Sequence, residues 1–230
     1  MSAIDLDERT RLRRAGPSDL DALLAIKRAL PMPSGVDRTR AGGFLIGADE
    51  RGYALLLAVG QAWLLEVEGE PIGFALTLAD PVLRASPIWA RRSAIEWFAD
   101  FDPEPWLNQR IGYFDQLALL PGYRERYWGS ALALRALAEL VVEQDHALVL
   151  TTTVVEPIVN AAALPLLARV GAREVGRLAE HYPDIGSIVS ALHAIEADRC
   201  TQLLAEIARR PPPSTAELLE PFVQAARVEP

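Results

Sequence analysis

The most constraining feature of this 230-residue chain is one local unit: an apolar run over residues 113–119, a stop at Pro121, and then an apolar stripe of helical spacing. Leu132, Leu134, Leu137, Leu140 and Val141 carry that stripe, which predicts a strand, a short loop and a long helix over about residues 125–143. The β-branched run Thr151-Thr152-Thr153-Val154-Val155 then marks the next strand, over 146–155. A strand, a covering helix and a second strand in one sheet require a parallel crossover, so the chain cannot be a helical bundle or a purely antiparallel sandwich.

The flanking segments fill in the rest of the sheet. Residues 12–14 read as a first strand, and Pro17-Ser18-Asp19 starts a helix that runs to Leu30. Pro31 to Gly35 is a loop, Tyr53, Leu56, Leu57 and Gly60 mark a second helix, and the region between is placed to serve as a substrate-facing lid. Strands at 62–67 and 72–78 flank Glu68-Gly69-Glu70-Pro71 as a hairpin, and residues 87–98 are expected to form an amphipathic helix carrying Trp89 and Trp97 as packing anchors. A helix from Asn160 closes at Gly171. Final strands at 172–178 and 187–195 are joined by a loop containing His181 and Tyr182, and a helix over 197–209 follows. The fold class is therefore α+β (α/β), a mixed, mostly antiparallel twisted sheet of six to seven strands flanked by helices. Residues 1–196 form the main domain, and 197–230 add a C-terminal helix and a Pro-rich amphipathic tail. The tail's apolar face, Leu218, Leu219, Phe222 and Val223, is expected to dock on the body or on a second copy, making a homodimer possible.

The stretch from Leu117 through Leu119, Pro121, Arg124, Glu125, Arg126, Tyr127, Trp128, Gly129 and Ser130 resembles the acetyl-CoA motif of the GNAT N-acetyltransferase superfamily. Asn160, opening a helix that ends in Gly171-Ala172, resembles that family's closing segment. The resemblance implies an acyl-CoA N-acyltransferase fold, acetyl-CoA as co-substrate, and transfer of its acetyl group to an amine of a small molecule or peptide. The physics of the turn agrees: a helix start offers unpaired N–H groups and partial positive charge, which suit a pyrophosphate. The family's pattern is Arg or Gln, two residues, Gly, one residue, then Gly or Ala; here Tyr127 replaces the first glycine and Glu125 adds a negative charge.

By the same resemblance, Leu117, Leu119, Arg124 to Ser130 and Asn160 are the expected coenzyme contacts, with the Leu119 amide polarising the thioester carbonyl. Asp115 lies near the family's usual carboxylate base and is the candidate general base. The usual acid, a Tyr four residues before the closing glycine, is Leu167 here. Tyr123, Tyr127 and Tyr182 are the phenols placed to substitute, and Tyr182 is taken with Asp115 as the candidate pair. Tyr127, Glu125 and Leu167 also fit an alternative, a non-catalytic coenzyme-sensing or partner-binding protein of this fold. The segment 81–105, with Trp106 beyond it, is further able to form a distinct acceptor pocket, as an acid-specific or peptide-linking acyltransferase would need.

Charge and composition remove other classes. A net charge of −8 disfavours nucleic acid, which needs clustered cations. Residues 1–14 read as neither signal nor anchor, and the apolar stretch 53–65 is too short and broken to span a membrane. Cys200 is the single cysteine, expected buried, and a reducing cytoplasmic setting is the expectation. His146, His181 and His193 are not spaced as metal ligands, so no metal is expected.

Overall fold

The β-hairpin at Glu68-Gly69 shows how locally the sheet is written. Both residues take positive φ, 54° and 84°, the pair of angles that lets a two-residue turn follow the strand twist. The computed structural model describes residues 4–39, 43–123, 127–209 and 216–227. Among these, nine strands form one sheet: β1 (Ile4–Asp5), β2 (Thr10–Arg14), β3 (Gln61–Val67), β4 (Glu70–Leu78), β5 (Ile95–Trp97), β6 (Ile111–Leu119), β7 (Leu148–Glu156), β8 (Arg173–Tyr182) and β9 (Gly186–Glu196). Their order is β1-β2-β3-β4-β6-β7-β9-β8-β5. The mixed, mostly antiparallel sheet of the sequence reading is present, with β6–β7 the parallel pair. The strands beyond the expected seven are the short β1 and β5 at the two edges.

The helices are α1 (Leu20–Arg28), α2 (Glu50–Val59), α3 (Asp80–Arg84), α4 (Pro87–Ala90), α5 (Glu104–Leu107), α6 (Trp128–Ala138), α7 (Leu164–Arg169), α8 (Ala197–Ile207) and α9 (Ala216–Ala226). Residues Ala131 to Ala138 of α6 are all buried, as befits a helix apolar on every side. It packs on β3, β4 and β6 and is covered by α9, and a π-helical turn (Glu139–Glu143) continues it. Leu218, Leu219 and Phe222 of α9 join the core around α6 together with Cys200 and Leu204 of α8. The tail's apolar face is thus satisfied within the chain, which removes the reason for assigning it to a second copy.

Two expectations are corrected. Residues 87–98 do not form one helix: α4 passes into a 3-10 turn (Arg91–Ala94), and Ile95–Trp97 then pairs antiparallel with β8. Ile95 and Trp97 alternate about Glu96 with a strand's period, and Gly176 on β8 admits the close approach, since a Cβ there would meet Glu96 O at 2.7 Å. The loop between the last strands is also shorter than expected. His181 and Tyr182 belong to β8, pairing with Ser187 and Gly186, whose φ of 93° tightens the turn.

Gly171 closes α7 as expected. With φ 72° it sends its N–H to Ala168 O (3.2 Å), and Ala172 N–H reaches Leu167 O (2.9 Å), a Schellman arrangement. Gly171→Ala places a Cβ in the left-handed region and against Leu203 Cδ1, at 2.6 Å. We expect it to cost about 1–2 kcal/mol in urea unfolding; no change would mean that the turn relaxes to another conformation.

Candidate functional site

β6 pairs with β4 over most of its length, through Leu119, but with β7 only from Ile111↔Leu148 to Phe114↔Thr151. Beyond Phe114 the two parallel strands part. The amide of Leu120 points to β4, donating to Ile72 O at 2.8 Å. Amides alternate in direction along a strand, so those of Leu119 and Leu117 turn to the opposite edge, into the gap. A bulge sits where the gap begins: Leu76 faces Gln116 and Thr77 faces Phe114, leaving Asp115 as the extra residue.

The gap opens into a cavity of about 1280 Å³ that reaches both faces of the sheet. Gly129 of α6 and Leu167 of α7 line it on one face; on the other it runs under α2 and the segment around α3 to α5. Its lining includes Asp115, Leu117, Leu119, Gly129, Asn160 and Tyr182, so six of the residues singled out in the sequence converge here.

The wall beside the bulge is polar. Tyr53 Oη donates to Gln116 Oε1 (2.5 Å), and Gln116 Nε2 donates to Asp115 Oδ2 (3.2 Å), a relay that fixes the carboxylate. Burial pushes the half-buried Asp115 carboxyl up to about 6; Gln116 and Arg91 oppose the rise and Glu180 adds to it. Tyr113 Oη and Thr152 Oγ1 lie 3.0 Å apart on the neighbouring strands, and Arg91 pairs with Glu180. Burial raises the Tyr182 phenol, with Glu180 contributing and Arg91 opposing, so it remains protonated at neutral pH. Tyr53, Gln116, Arg91 and Glu180 were not among the sequence candidates: α2, the 3-10 turn before β5 and β8 bring in Tyr53, Arg91 and Glu180 from distant segments, and Gln116, next to Asp115 on β6, gains its role only through its contact with Tyr53.

The other phenols stand elsewhere. Tyr123 packs on Trp128 with ring centroids 5.6 Å apart, and Tyr127, which precedes α6, is 54% exposed and does not line the cavity. Trp128 is itself buried in the main core, so its side chain is a packing residue, and Ser130 Oγ accepts from Arg169 (3.3 Å). Arg124, Glu125 and Arg126 lie outside the described residues. Gly129 and Ser130 belong to the first turn of α6, whose amides have no intrahelical acceptors.

Asn160 donates from Nδ2 to Phe44 O (3.3 Å), while its buried Oδ1 has no hydrogen-bond partner among the described residues. Gly43 makes room for it, since a Cβ there would come within 2.8 Å of that oxygen. A buried acceptor left over in the cavity, two strand amides turned into the gap and a helix start suit an amide-containing thioester ending in phosphates.

The histidines are structural. His146 Nδ1 lies 2.8 Å from Leu140 O and Nε2 accepts from the Asp80 amide (2.9 Å), while His193 Nε2 meets Thr153 Oγ1 (2.9 Å). Burial lowers both imidazoles, keeping them neutral. His181 lies 3.4 Å from Ser187 Oγ at the surface. Cys200 is buried and its thiol is pushed up to about 12, so it is not a nucleophile at neutral pH. Among the described residues no helix is long and apolar enough to cross a membrane.

No family model and no curated protein matches the sequence. Solved structures do match. The ribosomal-protein-S18-alanine N-acetyltransferase of Escherichia coli is 17% identical with a TM-score of 0.55, covering 82% of this chain and 94% of its own. The Arabidopsis thaliana NAA60 complex with acetyl-CoA is 19% identical with a TM-score of 0.55, covering 81% and 99%. FeeM, an N-acyl amino acid synthase from uncultured soil microbes, is 15% identical with a TM-score of 0.57, covering 85% and 94%.

Proposed function

On the GNAT acyltransferase fold that this chain has, we propose that it is an N-acyltransferase using acetyl-CoA or a related acyl-CoA. The acceptor is an amine of a small molecule or peptide. The observation that carries this reading is the parting of β6 from β7, which turns the Leu117 and Leu119 amides toward a cavity bordered by Asp115, Asn160 and the start of α6.

The chemistry follows from these positions. The acceptor reacts as the neutral amine, an ammonium having first released its extra proton to solvent; the nitrogen lone pair attacks the thioester carbonyl carbon and the Asp115 carboxylate takes the proton that the nitrogen then loses. A C–N bond forms, and a strand amide, Leu119 foremost, holds the oxyanion. The C–S bond then breaks and Tyr182 protonates the leaving thiolate. The proton on Asp115 returns to the phenolate through solvent, so amide and free CoA are the only products.

Calorimetric titration with CoA and acetyl-CoA tests the site, and thiol release in the presence of an amine panel tests the reaction. Because Tyr127 is exposed, Tyr127→Gly should leave acetyl-CoA affinity within about twofold of the parent. Arg124→Glu, whose position rests on the motif, should weaken it by about tenfold or more. Unchanged binding in the Arg124 variant would remove the phosphate-binding role, and tenfold tighter binding on removal of Tyr127 would place its ring in the site. Absence of any coenzyme binding would favour the partner-binding form of the non-catalytic reading, and binding without thiol release its coenzyme-sensing form.

A further inference from the structure

The cavity is much larger than an acetyl group needs. We propose that it holds a long apolar acyl chain carried by the donor thioester, which makes this a medium- or long-chain acyltransferase. The inference rests on the acyl-CoA reading of the same site.

The cavity of about 1280 Å³ takes in the coenzyme and acceptor ends as well, so its apolar extension past them, rather than its total volume, carries the inference. The acceptor-facing polar groups, Asp115, Gln116 and Tyr182, lie beside the bulge. The other end lies over the paired starts of β6 and β7, where Leu83, Phe101 and Trp106 pack around Ile111 and Leu148. The six residue steps from Ile111 to Leu117 amount to roughly 20 Å of strand, so this apolar end is far beyond the reach of a two-carbon acyl group.

The polar side chains near that end are engaged. Arg91 pairs with Glu180, and Arg92 lies over the Trp89 ring (5.1 Å) while donating to Trp89 O (3.2 Å). Ser86 donates to Leu83 O (2.6 Å) and caps Trp89 N (3.3 Å). A wall of this kind recognises no charged or hydrogen-bonding acceptor, but it suits methylene groups, which require only removal from water. The donor is favoured as their carrier because the cavity runs through the gap between β6 and β7. A thioester held at the Leu117 and Leu119 amides from the α6 side directs its acyl carbons toward the apolar chamber. The acceptor amine is left the polar wall of Asp115 and Tyr182. Leu55 and Val59, 57% and 49% exposed and one turn apart on α2, extend apolar surface to the rim.

The test is calorimetric titration with CoA and with acetyl-, butanoyl-, hexanoyl- and octanoyl-CoA, on the parent and on two variants that fill the chamber, Val82→Trp and Ala85→Phe. Affinity is expected to rise about fourfold per added methylene, with the rise cut short in either variant while CoA affinity is unchanged. Ala85 is exposed, so that variant remains informative if the tryptophan prevents folding. Equal binding of acetyl- and octanoyl-CoA would overturn the inference and leave the coenzyme site standing. Failure to bind even CoA would overturn both. A chain-length preference found only with alkylamine acceptors and acetyl-CoA would place the chain on the acceptor and overturn the donor assignment.

Discussion

Asp115→Asn is expected to lower turnover by about 10²–10⁴-fold and to abolish a pH dependence that the parent shows near pH 6. In the parent, kcat/KM should climb as pH rises through about 6, where the buried carboxyl loses its proton, and then level off. An amide cannot accept the amine's proton, so the variant loses that limb along with the rate. Stability gives an independent control. The folded-state carboxyl has a raised pKa, so folding disfavours its charged form, and the parent loses stability as pH climbs from the ordinary carboxylate range through about 6. Asparagine carries no charge to bury and keeps a partner for Gln116, so the variant should be as stable as the parent in acid and at least as stable above pH 6. A large loss of rate with unimpaired folding would support the base; full turnover across neutral pH would assign proton removal to water or another group. A variant that unfolds at neutral pH would show instead that the carboxylate holds the bulge together.

The parts of this molecule that were legible in the sequence are those in which a few neighbouring residues decide the structure. Pro121 ends an apolar run, Glu68-Gly69 turns a hairpin, and Gly171 caps a helix, each by its own backbone preference. Asp115 was legible as a residue but not as a bulge, because the bulge is a mismatch of count between β6 and β4, nearly forty residues apart. The same distance effect hid β5: the run through Ile88, Trp89 and Trp97 has apolar residues at helical and strand spacings alike, and the choice is made by an open β8 edge and by the missing Cβ of Gly176. Tyr127 illustrates the reverse. Read in the motif it replaces the glycine of the coenzyme turn; in the fold it is 54% exposed and does not line the cavity, a placement that a sequence pattern does not encode. The size of the cavity was likewise invisible, since it depends on α2, the α3–α5 segment and the β8–β9 hairpin closing over one strand gap.

Glu139→Ala is expected to destabilise the fold by about 1–3 kcal/mol, chiefly the cost of leaving the buried Trp63 N–H without its acceptor, since the Arg14 side chain is 38% exposed and partly screened by solvent. Glu139 is 1% exposed at the junction of α6 and its π-helical turn, and its carboxylate holds several partners together. It accepts from Trp63 Nε1 (2.6 Å) on β3 and from Gln144 Nε2 (3.2 Å), and it pairs with Arg14 on β2. The guanidinium groups of Arg135 and Arg14 lie 4.3 and 4.7 Å from the Trp63 ring centre, so two cations share one indole. Glu143 pairs with Arg135 through contacts of 2.7 and 2.9 Å and also attracts Arg14, while Glu139 is the carboxylate in direct contact with Arg14. Alanine at 139 strands the indole N–H, removes the contact partner of the partly exposed Arg14 and opens a void beside them. Glu139→Gln keeps an acceptor for Trp63 but not the charge, so its loss should be smaller, and the difference between the two variants in urea unfolding separates the hydrogen bond from the ion pair. A loss under 1 kcal/mol for alanine would mean that water reaches these groups in solution. Because this network anchors the far end of the helix whose first turn borders the proposed coenzyme site, the alanine variant should also bind CoA more weakly at temperatures where it is still folded. Unaltered affinity there would show that the start of α6 is positioned by β6 and the Pro121 turn alone.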